Sequence, residues 1–375
     1  NVGQRRFPPA AVELGCIVDG FVPPSPCRYD VVTAEHGLCK RLGADVGSYN
    51  ASFLAGLRKF TYDYCCKHFR PIAIDEINTI RSWLDGSNYP AKRRMDLLQC
   101  ASQGGMDVDC NSNGGVDVRR FKKINSFIKA EFYPDFKHAR IINSRSDYAK
   151  CFYGPLASSI ERVVYSTDHH FIKHVPVRDR VAYIESLCPD GSLVFESDYS
   201  AFECHFTPDL MQNCEFVLYS YLLRNVRNYF GFDLSTEDGF AKAFGPLLST
   251  NEMHLLGNVY TVDGVRMSGE MFTSLGNGFS NLMLMLYIFS LRGIDNVDGV
   301  CEGDDGLYFI PPEQRDRVPT ADDFKQLGLS VKCVLHDRIG DASFCGLVYD
   351  PATHHILREP LETLARFGWK MAESP

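Results

Sequence analysis

Asp304 and Asp305 stand next to each other after Gly303, between two β-prone runs at 297–301 and 307–310. Like charges held together at a tight turn cost free energy unless a cation lies between them, so the pair asks for a metal. Asp198 ends a further β-prone run, 192–198 (SLVFESD), and supplies a third carboxylate if the two segments lie side by side in one sheet. Hard oxygen ligands suit Mg²⁺ or Mn²⁺, and two such ions are the usual device for in-line phosphoryl transfer. Taken alone, a Gly-Asp-Asp triplet is more often an ordinary polar turn, so the rest of the chain has to decide.

Chemistry of that kind handles anions, and the sequence gathers cations in one stretch. Residues 119–150 hold nine basic side chains (Arg119, Arg120, Lys122, Lys123, Lys129, Lys137, Arg140, Arg145, Lys150) against three acidic ones (Glu131, Asp135, Asp147). The chain as a whole is acidic, with 39 Lys and Arg against 47 Asp and Glu and a formal net charge of -8, which argues against non-specific coating of nucleic acid. A smaller cluster, Lys92-Arg93-Arg94, follows a Tyr89-Pro90 turn. Alone, either stretch reads as a solvated basic face. Fourteen cysteines in a chain this long make neither a small disulfide scaffold nor a zinc knuckle, and a reducing cytosol is the simplest setting. The adjacent pairs Cys65-Cys66, His169-His170 and His354-His355 leave open a metal cluster assembled from distant segments, with plain packing as the alternative.

These residues need a scaffold, and composition provides for one. At 45% hydrophobic, 12% aromatic and 23% charged residues, the chain can bury a large core, which excludes intrinsic disorder, collagen and coiled coil. Its 375 residues fit two or three domains or one large fold with insertions. The first fifty, with Pro8, Pro9, Pro23, Pro24 and Pro26, predict an extended arm; 51–98 predict helices; 101–118 predict a long loop. Thr207 as N-cap and Pro208 behind it open a helix whose apolar face carries Leu210, Cys214, Val217, Leu218, Tyr221 and Leu222. Asp263-Gly264 signals a hairpin within 254–267, and a buried helix follows over 273–291. The longest apolar run, 282–291, is half of the roughly 20 residues that a membrane-spanning helix needs. A start at Asn1 without methionine predicts a piece of something longer.

In this order the motifs resemble those of the viral RNA-dependent RNA polymerases. Asp198-Tyr199-Ser200-Ala201-Phe202-Glu203 is similar to the first palm motif, Ser268-Gly269-Glu270-Met271-Phe272-Thr273-Ser274-Leu275-Gly276-Asn277 to the second, and Gly303-Asp304-Asp305 to the third. FKQLGLSVK (324–332) is similar to the fourth, Ser343-Phe344-Cys345-Gly346 to the fifth, and the basic stretch around Phe127-Ile128-Lys129-Ala130-Glu131, Lys137, Arg140 and Arg145 to the fingers motif. The likeness covers roughly 92–346, is nearest to positive-strand RNA viruses of tombusvirus-like and nodavirus-like type, and excludes polymerases whose third motif precedes the first.

The resemblance implies an α+β right-hand polymerase fold. Its N-terminal arm and fingers would take 1–190, the palm 191–206 and 254–346 on an antiparallel sheet, a helical insertion of fingers and palm 207–253, and a minimal or truncated thumb 347–375. It implies template-directed RNA synthesis for viral genome replication, in which an RNA 3′ hydroxyl attacks the α-phosphate of an NTP and pyrophosphate leaves. Two ions, Mg²⁺ or Mn²⁺, would be held by Asp198 and Asp304 with Asp305 in support. Thr273 and Asn277 stand four apart on one helix face and would meet the ribose 2′ hydroxyl, the group that separates RNA from DNA. Ser268-Gly269 would form a mobile loop against template or nucleotide. Lys129, Lys137, Arg140 and Arg145 would take the triphosphate; Lys92, Arg93 and Arg94 the template backbone; Phe344 and Cys345 the primer end. Lys332, with Lys325 as the alternative, would protonate pyrophosphate. Glu203 departs from the family, which usually has aspartate there; the longer side chain would still serve the ribose, with an auxiliary metal role as the alternative. RNA template, nascent RNA, NTPs and viral or host replication factors are the implied partners. The implied setting is the host cytoplasm, where membrane-associated replication complexes would be reached through segments outside this chain. Two rivals share the palm. A reverse transcriptase normally carries an aromatic residue before its paired aspartates, where this chain has Glu302-Gly303, and an inactive RNA-binding scaffold has no need of Asp198, Asp304 and Asp305.

Overall fold

Local signals start most of the elements, though not always where the sequence predicts. The computed structural model describes residues 11–15, 22–43, 49–112, 115–133, 135–199, 201–350, 353, 355–358 and 360–371. After β1 (Ala11–Glu13), Asp30 accepts a hydrogen bond from the Thr33 backbone N–H and opens α1 (Val31–Leu42), so the first fifty residues are not all extended arm. Pro8, Pro9, Ser200 and His354 lie outside the described residues. Asn50 caps α2 (Ala51–His68) and Thr79 caps α3 (Ile80–Asp85). Pro90 directly precedes α4 (Ala91–Gln103), so Lys92, Arg93 and Arg94 stand in the first turn of a helix rather than on a turn after a proline.

Strands β2 (Lys123–Ile128) and β3 (Ile141–Arg145) follow, then α5 (Asp147–Thr167), α6 (Arg180–Leu187), β4 (Leu193–Tyr199) and the short α7 (Phe202–His205). Thr207 caps α8 (Pro208–Asn213) as predicted, but the apolar series read as one helix breaks at Cys214 and resumes as α9 (Glu215–Leu223). Beyond α10 (Glu237–Phe244), β5 (Asn251–Leu255) and β6 (Asn258–Val262) form a hairpin whose turn is Leu256-Gly257, at φ +49° and +84°. Two residues at positive φ match the twist of the strands. The turn is therefore not at Asp263-Gly264, where a Cβ on Gly264 would collide with the Leu248 carbonyl. The chain continues through α11 (Thr273–Leu291), β7 (Asp298–Glu302), β8 (Asp305–Ile310), α12 (Ala321–Gln326) and β9 (Val331–His336). It ends in β10 (Ser343–Phe344), β11 (Leu347–Asp350), β12 (His355–Arg358), α13 (Pro360–Arg366) and β13 (Trp369–Met371).

One four-stranded antiparallel sheet runs β7-β8-β4-β9. The apolar α11 packs against β7 and β8 on one face, where Phe195, Cys301 and Tyr308 join the main core. On the other face Val194, Val300, Leu307 and Phe309 form a smaller core with Ile184 and Phe344. A second sheet, β3-β2-β5-β6, includes a parallel pair and packs on Ala34 and Leu38 of α1. The boundary expected at 253/254 thus falls inside β5. Strand β13 pairs with β1, while β10, β11 and β12 make a separate small sheet. Among the described residues no helix is long and apolar enough to cross a membrane, and the cysteines are free.

Candidate active site

Alternation along β4 decides which side chains are free for chemistry. Leu193, Phe195 and Tyr199 enter the main core, so Glu196 and Asp198 share the opposite face with Val194. Ser197 pairs with Gly306, and the next step of that register sets Asp198 opposite Asp305; on its other side Asp198 pairs with Lys332. Cross-strand partners point the same way, which places Asp305, Asp198 and Lys332 in one row over β8, β4 and β9. Glu302 pairs with Asp305, leaving Gly303-Asp304 as a two-residue turn with Gly303 at φ +65°.

Three carboxyls meeting this way resist ionisation. Burial, then the charges of Asp304 and Asp198, push Asp305 up to about 7. Burial also raises Asp304, with Glu203 and Asp198 adding to it, and raises Asp198, which Lys332 and Lys137 partly relieve. A site that penalises its own negative charge and offers oxygen donors suits a hard divalent cation, so the residues fit the ions that the sequence asks for. The sign of the pH effect follows for metal-free protein. The fold holds the Asp305 proton more tightly than the unfolded chain does, so this group's contribution to stability is full below about pH 4, falls as pH rises toward about 7, and levels beyond it. The loss amounts to at most about 4 kcal/mol. Denaturant midpoints in EDTA are therefore expected to fall between about pH 4 and pH 7, with Mg²⁺ restoring stability on the alkaline side; midpoints that rise in EDTA would contradict this account.

Supporting contacts include several that the sequence reading missed. Asn281, buried on α11, donates from Nδ2 to the carbonyls of Gly303 (3.2 Å) and Asp305 (3.1 Å) and so fixes the acidic turn. Its signal was a second asparagine one turn after Asn277 in an otherwise apolar helix. Glu196 accepts from the Ser343 N–H and hydroxyl, both at 3.0 Å, and anchors β10. At the next turn Cys345 and Gly346 have φ +54° and +70°, and burial raises the Cys345 thiol, which hydrogen-bonds to Asp305. Phe344, expected at the primer end, is buried in the smaller core with Leu307 and Phe309 because strand alternation turns it inward.

The segment before α11 departs from expectation in two places. Thr273 Oγ1 donates to the Met267 carbonyl (2.9 Å) and accepts from the Glu270 N–H (3.1 Å), so its hydroxyl is engaged in closing the loop. Ser268 Oγ donates to the Ile141 carbonyl, and the Gly269 N–H donates to the Asn143 carbonyl, so the loop expected to be mobile is stitched to β3. Asn277 is 9% exposed, and its Oδ1 has no hydrogen-bond partner among the described residues.

Among the cations, Arg145 is a correction. It is buried, donates to Glu270 (2.6 Å) and to the Phe121 carbonyl (2.7 Å), and ties β3 to the loop before α11. Arg266, Glu215 and Glu270 complete this buried network. Lys129 and Arg140 both reach Glu131, at 3.0 and 3.6 Å. Arg140 also lowers the cost of charge on Asp304, and the exposed Lys137 does so for Asp198. Arg93 grips Asp147 with both terminal nitrogens at 2.7 and 2.5 Å, which leaves Lys92 the exposed cation of its cluster and Arg94 partly covered. Glu203 pairs with Arg41 of α1 at 3.3 Å, a partner invisible from a proline-rich segment read as an arm.

Residues 165–367 match the family model described as viral RNA-dependent RNA polymerase. The RNA-directed RNA polymerase of Striped jack nervous necrosis virus is 27% identical over 214 residues, which take in 55% of this chain. The matched region spans 20% of that relative's length.

Proposed function

The chain belongs to the viral RNA-dependent RNA polymerase family, and from that premise we propose that it catalyses template-directed RNA synthesis for viral genome replication. The observation that carries the reading is the single row of Asp305, Asp198 and Lys332 with Asp304 at its end, brought onto one sheet face from three separated segments. In this reading the sheet β7-β8-β4-β9 is the palm of a right hand, most of the first 190 residues build fingers, and residues beyond β10 begin a thumb. Mg²⁺ or Mn²⁺ ions, when bound here, would supply activation of the RNA 3′ hydroxyl and charge neutralisation on the NTP.

The protein's own groups do the rest. Asp198 and Asp304 would hold the ions, with Asp305 supporting them from the strand end. Lys332, exposed beside Asp198, stands where it can give a proton to leaving pyrophosphate. Lys137 and Arg140 face the carboxylates from the basic stretch and receive the triphosphate. Glu203, steadied by Arg41, positions the ribose together with Asn277. Template-directed extension with labelled NTPs, beside Asp304→Ala and Asp305→Ala controls, tests the reading: Mg²⁺-dependent products from the parent alone support it, and their absence from the parent overturns it.

Asn277 gives the sharper test of sugar choice. Its buried Oδ1, without a partner among the described residues, is suited to the 2′ hydroxyl, and leaving such a group unmatched costs about 1–3 kcal/mol. Asn277→Ala is therefore expected to narrow the preference for rNTP over dNTP by roughly 10-fold or more, with little change in the Mg²⁺ midpoint. An unaltered preference in single-nucleotide incorporation would reassign the residue to packing.

A further inference from the structure

A second group of metal-ligating side chains lies at the opposite end of β7 from the acidic turn. Asp298 opens that strand, and the segment after α5 runs beside it: the Cys301 N–H donates to the His170 carbonyl at 2.8 Å, and Phe171 bridges to Cys301. Asp298 Oδ1 lies 2.9 Å from His169 Nε2 and 4.0 Å from His170 Nε2, and the Gly299 N–H donates to the same oxygen at 2.9 Å.

The His170 ring is oriented from behind. Its Nδ1 lies 2.8 Å from Asp168 Oδ1, and the other Asp168 oxygen accepts from the Tyr64 hydroxyl at 2.7 Å. A carboxylate can only accept, so Nδ1 carries the proton and Nε2 presents its lone pair. That Nε2 is buried with no hydrogen-bond partner, on a side chain 7% exposed. His169 and Asp298 satisfy each other, but nothing among the described residues satisfies His170 Nε2. A cavity of about 580 Å³ opens here, with His68, His169, His170 and Asp298 in its wall.

We propose that His169 Nε2, His170 Nε2 and Asp298 Oδ1 form a Zn²⁺ site, separate from the carboxylates at Asp198, Asp304 and Asp305. Asp168 is its positioning residue, and the cavity supplies water as the fourth ligand. Zinc bonds of about 2.0–2.2 Å in tetrahedral geometry separate ligand atoms by roughly 3.3–3.5 Å. The 2.9 and 4.0 Å separations from Asp298 bracket that value, and the two imidazole rings lie side by side with centroids 4.1 Å apart. Two imidazoles and one carboxylate select Zn²⁺ over Mg²⁺, and a carboxylate behind a ligating histidine is the usual way to fix its tautomer. The ion would pin the start of the edge strand β7 to the end of α5. Four residues further along, about 13 Å at the rise of a strand, that strand reaches the acidic turn.

The test is titration of metal-stripped full chain with Zn²⁺ by calorimetry in excess Mg²⁺, with Co²⁺ as a spectroscopic stand-in whose visible bands report tetrahedral nitrogen and oxygen ligation. One Zn²⁺ per chain is expected, weakened about 100-fold or more by His169→Ala or Asp298→Asn and unaffected by Asp304→Asn. His169 and Asp298 are half exposed, so their variants are expected to fold, which thermal unfolding in EDTA checks. Asp168→Asn should weaken binding 10- to 100-fold without removing the tetrahedral bands. Absence of Zn²⁺ binding overturns the proposal. So does tight binding that survives both His169→Ala and Asp298→Asn, or that disappears in Asp304→Asn.

Discussion

Asp304→Asn should lower NTP turnover by about 10³-fold or more while leaving the fold intact. The carboxylate lies at the turn where β7 meets β8, and burial together with Glu203 and Asp198 already raises the cost of its charge. If Asp304 holds an ion as proposed, removing that charge takes away a ligand, a loss of several kcal/mol of transition-state stabilisation. It also relieves repulsion in the metal-free protein. Thermal unfolding in EDTA should therefore be unchanged or shifted upward, which separates a lost ligand from a lost fold. Single-turnover incorporation at saturating Mg²⁺ measures the first effect. A variant retaining more than a tenth of parental turnover would show that Asp304 holds no ion needed for the reaction.

Arg266→Met is expected to cost about 3–5 kcal/mol of stability without touching the acidic row. Arg266 is 1% exposed, pairs with Glu215 and lies 3.4 Å from Glu270; Glu270 also has Arg145. Without Arg266, Glu215 keeps only the Tyr219 hydroxyl at 3.1 Å among these contacts, inside a fully buried site. Most of the cost is thus the stranded glutamate rather than the lost pair. Adding Glu215→Gln should recover part of it, so the double variant is less destabilised than the sum of the singles. Urea denaturation of the three variants measures this; a loss under about 1 kcal/mol for Arg266→Met would mean that water or rearrangement replaces the guanidinium.

The acidic row was readable because it follows from period-two alternation: a strand ending on Asp198 and a glycine turn before Asp305 leave few ways to set carboxylates on one sheet face. What stayed hidden depended on long-range placement. Counting charges between 119 and 150 could not tell that Arg145 is buried against Glu270 while Lys137 is exposed, because both are simply cations in sequence. Thr273 matches its motif, yet its hydroxyl goes to the Met267 carbonyl, a matter of loop geometry. Leu256 at positive φ carries no sequence signal, and Asp263-Gly264 outbid it on turn chemistry alone. Arg41 was missed because α1 lies among prolines that argued for an arm, although Asp30 was a readable cap.

The position of β4 in its sheet sets a constraint on how the chain is made. Both of its neighbours, β8 and β9, come roughly a hundred residues or more later in the chain. At about 5–20 residues per second of translation, β4 spends on the order of 5–20 s outside the ribosome with both edges unpaired and Phe195 uncovered. Helices α8 to α11 emerge during that wait, and α11 supplies the apolar face on which the strand is finally held. Slowing translation between residues 200 and 305 should lengthen the aggregation-prone interval, and holdase chaperones should raise the soluble yield most when present during synthesis rather than after it.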